Sequence, residues 1–397
     1  MTSGFDTVID RRPSNSLKWH RYAPDILPLW VADMDFRAPA PVLEALQRAI
    51  SHGVFGYEEA SLSLRETVAT RMQRLYNWQV TPEMVIAVPG LESGFNAAAR
   101  AVCAPEEGLL IQTPVYYPFL RVPRNVGVVG QLARLRQVNH DHSLHYEVDW
   151  DAFEAAINLQ EARTRMFLLC QPHNPIGQVY SLDDLTRMAE ICISEDIIIC
   201  SDEIHSELLL GEARHIPVAT LAPEVAVRTI TLVAPSKTFN IAGLFCGFAI
   251  IPDESLRRRY RAVVEQMTLH VNSLGLIAAE AALSGACDEW LQELRAYLTA
   301  NRDFLVDYVR DRLPGIRTTV PDATYLAWLD CNNLLADGKI EASAHKFFLE
   351  KARVALNEGA DFGPGGEGFV RLNFGCPRQT LTEALDRMSA ALRNAAG

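Results

Sequence analysis

Short runs of consecutive apolar residues recur through the middle of the chain, each stopped by a turn. The clearest are Val85-Ile86-Ala87-Val88, Leu109-Leu110-Ile111, Met166-Phe167-Leu168-Leu169, Ile197-Ile198-Ile199-Cys200 and Thr229-Ile230-Thr231-Leu232-Val233. Stretches with helical spacing lie between them. One covers 93–102, and another runs to about 194 from the capping pattern Ser181-Leu182-Asp183-Asp184-Leu185. A strand with one wet face alternates apolar and polar positions, so an unbroken apolar run suits a strand covered on both faces. The pattern predicts an α/β fold with a mostly parallel, helix-covered sheet. From 255 to 280 the spacing is helical again, and a long helix is expected over 290–313. Beyond it, Tyr325-Leu326-Ala327-Trp328-Leu329 and Phe369-Val370-Arg371-Leu372-Asn373-Phe374 read as strands of a smaller α+β region. The first fifty residues are expected to pack with that region. This gives a large domain over 50–285 and a small one made of 1–49 with 286–397.

Polar residues that follow directly on these runs are the chemical signal, because open α/β sheets place ligands at the carboxyl ends of their strands. Asn174 follows one run, in Gln171-Pro172-His173-Asn174-Pro175-Ile176-Gly177, and Asp202 another, in Ser201-Asp202-Glu203-Ile204-His205. Lys237 follows a third, in Ala234-Pro235-Ser236-Lys237-Thr238-Phe239-Asn240. A lysine, an aspartate and an asparagine so presented match the needs of a pyridoxal phosphate site. The lysine binds the aldehyde carbon, the aspartate pairs with the protonated ring nitrogen, and the asparagine bonds the ring oxygen. Taken alone, Lys237 could be an ordinary solvated turn lysine. Asp202 could pair with an arginine or a helix N-terminus, since a carboxylate closing an apolar strand is costly unless paired.

Further candidates surround these three. Val88-Pro89-Gly90-Leu91-Glu92-Ser93-Gly94 is a strand–loop–helix junction whose first N–H groups suit a phosphate, with Glu92 expected to point away. Ser236 is either a phosphate ligand or a turn hydroxyl. Tyr116 could stack on a flat ring or simply pack. His205 could touch the ring oxygen or belong to the core. Arg371 is the only charge in its apolar strand. Its fork fits either a substrate carboxylate or a structural ion pair. Gly363-Pro364-Gly365-Gly366-Glu367-Gly368 matches a dinucleotide fingerprint in letters only, because it precedes a strand instead of opening a helix.

Composition narrows the class. A net charge of −12 argues against nucleic acid or an anionic membrane as partner. Eight cysteines with no CxxC pair, several inside apolar runs, suit buried thiols in a reducing compartment and make a metal site unexpected. No run approaches a membrane span, and no apolar segment follows Arg11-Arg12, so a cytoplasmic protein is expected.

At these residues the chain resembles the fold-type I pyridoxal-phosphate enzymes, the aspartate aminotransferase superfamily. Within it the resemblance is to the cystathionine β-lyase/C–S lyase branch often called MalY/PatB. Leu27-Pro28-Leu29-Trp30-Val31-Ala32-Asp33-Met34-Asp35-Phe36, Phe55-Gly56-Tyr57, the Asp202 motif, 234–244 and 369–377 carry it. The resemblance implies a homodimer with shared sites. In that picture Lys237 is the Schiff-base lysine, Asp202 the pyridinium partner and Asn174 the ring-oxygen ligand. Tyr116 stacks on the ring, Arg371 holds the substrate carboxylate, and Trp30 to Ala32 wall the substrate. Tyr57 reaches the phosphate of the neighbouring subunit. Many relatives carry a phosphate-binding arginine eight residues after the lysine, and here that position is Phe245. The phosphate must then rely on Ser236, backbone N–H groups around Gly90, Leu91 and Glu92, and Tyr57. The implied reaction is α,β-elimination from an L-cysteine S-conjugate, cystathionine first. An aminotransferase would use the same residues. A non-catalytic protein on this fold would be expected to lack Lys237 or Asp202, and both are present.

Overall fold

The computed structural model describes residues 4–340 and 343–396. Its centre is a seven-stranded sheet. In spatial order the strands are Val85–Val88, Gly247–Ile250, Thr229–Val233, Ile198–Asp202, Thr164–Cys170, Gly108–Thr113 and Val129–Arg134. Only Gly247–Ile250 runs against the rest. The five apolar runs of the sequence are five of these strands. Their lack of alternation has its expected cause. In Thr164–Cys170, Met166, Leu168 and Cys170 enter one core with Phe95 and Tyr260. Phe167 and Leu169 enter another, with Phe153 and Leu185. Helices Leu91–Val102 and Glu254–Gln266 cover the first face, and Leu182–Ser194 the second. Ser181 caps the latter by accepting a hydrogen bond from the Asp184 N–H at 3.0 Å.

A second sheet of six strands includes Leu326–Asp330 and Phe369–Asn373, paired antiparallel. It also takes in the hairpin Arg136–Asn139 and Ser143–Glu147, which comes from the middle of the chain. That hairpin is polar at most positions, so no apolar run marks it. The long helix runs over Asp288–Arg312, close to its expected span. The expected helix over 255–280 is instead two, Glu254–Gln266 and Ser273–Leu283. The break has a local cause. Thr268 adopts φ 54°, a left-handed conformation, and Asn272 caps the second helix through the Gly275 N–H at 2.8 Å.

The N-terminal segment binds to both layers. Leu27–Pro28 pairs in parallel with Val354–Ala355. Asn373 donates to the carbonyls of Val31 and Asp33 at 2.6 and 2.7 Å. Asn240, just past the lysine turn, donates to the carbonyls of Met34 and Phe36 and accepts the Met34 N–H. Residues 30–36 are thereby held down over the carboxyl ends of the central strands.

Candidate active site

A cavity of about 320 Å³ opens at those strand ends. Asp202 is the last residue of Ile198–Asp202, and Asn174 lies four beyond Thr164–Cys170. Lys237 sits in the single helical turn Pro235–Thr238 after Thr229–Val233. All three line the cavity, with Tyr116, His205, Ser236, Ala32 and the Gly90–Glu92 turn.

Burial sets the electrostatics of the site. Asp202 is 4% exposed, and among the described residues its carboxylate accepts one hydrogen bond, from the Ile204 N–H at 3.1 Å. Loss of hydration is the main cause that raises its pKa to about 7, with the Glu203 charge adding to it. The Lys237 ammonium donates to the Ala32 carbonyl at 2.7 Å and, among the described residues, has no carboxylate in contact. Burial lowers its pKa, so the neutral amine becomes more accessible. Burial likewise pushes His205 down to about 3, which makes it a neutral imidazole with Nδ1 unpaired.

Arg371 lies directly behind the cavity wall at 2% exposure. Nη1 donates to Asn174 Oδ1 at 3.0 Å, and Nη2 to the Trp30 carbonyl and Asn357 Oδ1 at 3.0 and 2.9 Å. All these partners are neutral, and Nε has none. Its pKa falls to about 10 because of burial. The structural ion pair allowed by the sequence is not what the strand holds. With Oδ1 given to Arg371, the amide N–H group of Asn174 is the end left for the cavity.

The helix Leu91–Val102 begins at Gly90, whose φ of 87° is a left-handed conformation. No side chain caps this N-terminus, so its first N–H groups are open to an anion. Glu92 does not turn out of the cavity as the sequence reading has it. Its carboxylate lines the cavity and accepts the Tyr116 hydroxyl at 2.6 Å. That bond gives a hydroxyl beside apolar neighbours a partner, and burial together with Glu92 raises the Tyr116 pKa. Trp30 contributes its carbonyl to Arg371 but does not line this cavity. Tyr57 is fully exposed and lies outside the cavity of its own chain. Tyr325, which the sequence reading passed over, donates its hydroxyl to Ala32 O at 2.9 Å. Asn240 and Asn373 were missed as well. They act on backbone carbonyls, and no sequence pattern marks that role.

A buried carboxylate without a cation, a lysine without an anion and an uncapped helix start around one cavity fit a phosphorylated pyridine aldehyde. Each group supplies what the cofactor needs, and the cofactor in turn balances each charge. Fold and cavity together define a pyridoxal-phosphate protein. The chain belongs to the aminotransferase class I and II family, matched over residues 24–388. It is 37% identical to cystathionine β-lyase PatB of Bacillus subtilis (strain 168), over 98% of this chain and 99% of that one. The solved structure of OvoB is similar with a TM-score of 0.90 and 41% identity, over 98% of each chain. The PLP-bound C–S lyase of Staphylococcus hominis has a TM-score of 0.90 and 30% identity, over 99% of this chain and 98% of that one.

Proposed function

We propose that the chain is a pyridoxal-phosphate-dependent C–S β-lyase. It cleaves L-cystathionine or a related L-cysteine S-conjugate to a thiol, pyruvate and ammonia. The observation that carries the site reading is charge imbalance. Among the described residues, Asp202 is a buried carboxyl group with no cation in contact, and Arg371 is a buried cation with no anion in contact. The protonated ring nitrogen of the cofactor answers the first, and the α-carboxylate of an amino-acid substrate the second. The choice of elimination is supported by relatives named cystathionine β-lyase and C–S lyase that match along nearly the whole chain.

The bound cofactor supplies a ring that accepts the electron pair left when the Cα–H bond breaks. Asp202 would keep the proton on the ring nitrogen. Asn174 offers its amide N–H to the ring oxygen while Arg371 orients it. Arg371 also receives the substrate carboxylate. Lys237 would hold the cofactor's aldehyde carbon and, as a free amine, would take the proton from Cα, aided by the burial that favours its neutral form. Sulfur then leaves Cβ as the thiolate, and the remaining three-carbon fragment is hydrolysed to pyruvate and ammonia.

We take the active form to be a homodimer. Tyr57 stands free beside exposed Val54 and Phe55, and Phe245 is exposed at the cavity. A second copy covering this apolar strip would bring its Tyr57 to the phosphate, where Phe245 cannot serve. Among the described residues no helix is long and apolar enough to cross a membrane. All eight cysteines are free thiols, which supports a reducing, cytoplasmic setting.

The deciding experiment supplies L-cystathionine and no 2-oxo acid. Pyruvate, ammonia and homocysteine should accumulate through many turnovers. A transaminase would stop after one half-reaction, with its cofactor left as the amine. No steady pyruvate from any cysteine S-conjugate, with turnover starting only when a 2-oxo acid is added, would replace the lyase reading by an aminotransferase.

Arg371→Ala should raise the substrate KM about 10- to 100-fold, the worth of a hydrogen-bonded charge contact. Some loss in kcat should accompany it, because Asn174 Oδ1 loses its donor. A folded variant with unchanged KM would remove Arg371 from substrate binding.

A further inference from the structure

Asp202 is followed by a second buried acid that the proposed reaction does not use. Glu203 is 1% exposed and does not line the catalytic cavity. Its Oε1 accepts the Ser201 hydroxyl at 2.9 Å and the Val218 N–H at 3.2 Å. Its Oε2 lies 2.7 Å from Nε2 of His215, whose side chain is fully buried. Among the described residues no lysine or arginine pairs with Glu203, so His215 is its one possible cation.

Two carboxyl groups at the end of one buried strand each disfavour the other's charge. Glu203 has three hydrogen-bond donors and Asp202 has one, so Glu203 is the better placed to stay ionised. Its charge then works against Asp202, whose ionised form must face the ring nitrogen. The cofactor can balance only the acid that lines the cavity, and Glu203 needs a partner of its own. The surroundings leave that task to His215. Its ring meets the Tyr76 ring edge to face with centroids 5.5 Å apart, and Nδ1 has no hydrogen-bond partner. Beyond Tyr76 stand Glu207, which Arg71 binds, and Arg295. The other titratable groups near Asp202 are Lys237 and Glu92 in the cavity wall, and Cys170 and Cys200, whose thiols burial pushes up.

We propose that His215 is a positioning residue, which shares one proton with Glu203, makes that pair neutral, and so leaves Asp202 able to stay ionised against the ring nitrogen. Without the shared proton, a negative charge would stand behind Asp202. The proton between Asp202 and the ring would then move toward the carboxylate, and the ring would accept electrons less well. The inference rests on the reading of Asp202 as the ring partner and does not depend on which bond the enzyme breaks.

The test follows the carboxyl signal that Asp202→Asn removes from infrared difference titrations of the cofactor-free protein. His215→Gln keeps a donor for Glu203 and removes the cation. It should move the Asp202 midpoint up by about one pH unit, the low end of what a neighbouring charge does. Adding Glu203→Gln to that variant should cancel the rise. Glu203→Gln alone should leave the midpoint nearly in place, because it removes a pair that was already neutral, and it serves as the test if His215→Gln does not fold. An unchanged midpoint in folded His215→Gln would overturn the proposal. So would a fall of about one unit in Glu203→Gln, since the pair would then carry a net negative charge in the wild type. In the holoenzyme, the ¹⁵N signal of a labelled cofactor ring should shift in His215→Gln toward that of an unprotonated pyridine, and return in the double variant. A ring signal that stays put while the Asp202 midpoint moves as stated would support the neutral pair and remove Asp202 as the ring partner.

Discussion

Lys237→Ala should lower turnover of L-cystathionine by about 10⁴-fold, the upper range for loss of a positioned proton-transfer group. The variant should still fold, because Lys237 makes one side-chain hydrogen bond, to a carbonyl, and no ion pair among the described residues. Borohydride reduction of the wild type, followed by peptide mapping, should leave the cofactor's mass on Lys237, and in the variant on no lysine. Added small primary amines should restore part of the activity, since the missing group is an amine lining a cavity of about 320 Å³ that can admit one. A purely structural lysine would give neither the mass shift nor the rescue. Label on another lysine, or near-normal turnover, would move the covalent link elsewhere and dismantle the site.

The central sheet was legible because both its faces are covered. Burial on two sides removes polar positions from a strand, and an unbroken run such as Met166-Phe167-Leu168-Leu169 records that directly. Lys237, Asp202 and Asn174 were legible for the same reason. A charge or amide that ends such a run stands where the covering stops. The second sheet was harder to read. Its hairpin over 136–147 has one exposed side, and its pairing with Arg317–Thr319 is a contact across some 170 residues that no local pattern encodes. The helix break before Ser273 depends on a single left-handed residue, Thr268, which lacks the glycine that usually announces one.

Within the site, what stayed hidden was mainly backbone recognition and side-chain direction. Asn240 and Asn373 fix residues 30–36 through carbonyl oxygens, so any sequence at the receiving end would serve. The direction of Glu92 depended on whether a hydroxyl lay within reach. The one that does, Tyr116, is 24 residues away. The neutral setting of Arg371 was open too, because a lone arginine in a strand says nothing of what faces it across the fold.

Asp202→Asn should reduce kcat by about 10²–10³-fold with little loss of bound cofactor, the scale seen when one preorganised charge contact to a transition state is removed. The physical reason lies in what burial does to this carboxylate. Without a cation beside it, desolvation holds its pKa near 7, so at neutral pH the charged form is only about half populated. A protonated ring nitrogen would lower that pKa, and by reciprocity Asp202 would raise the basicity of the ring. The cofactor-free protein should therefore titrate a carboxyl near pH 7, and cofactor loading should shift that titration to lower pH. Carbonyl-region difference infrared spectra would follow it, and Asp202→Asn should abolish the signal. Asparagine keeps the shape and the Ile204 N–H contact but brings no charge, so the ring nitrogen loses its proton and much of its capacity as an electron sink. Cofactor retention should change little, because Lys237, the Leu91–Val102 helix start and Ser236 remain. Near-wild-type turnover in Asp202→Asn, or a cofactor-free protein with no such titration, would show that Asp202 only ends a strand.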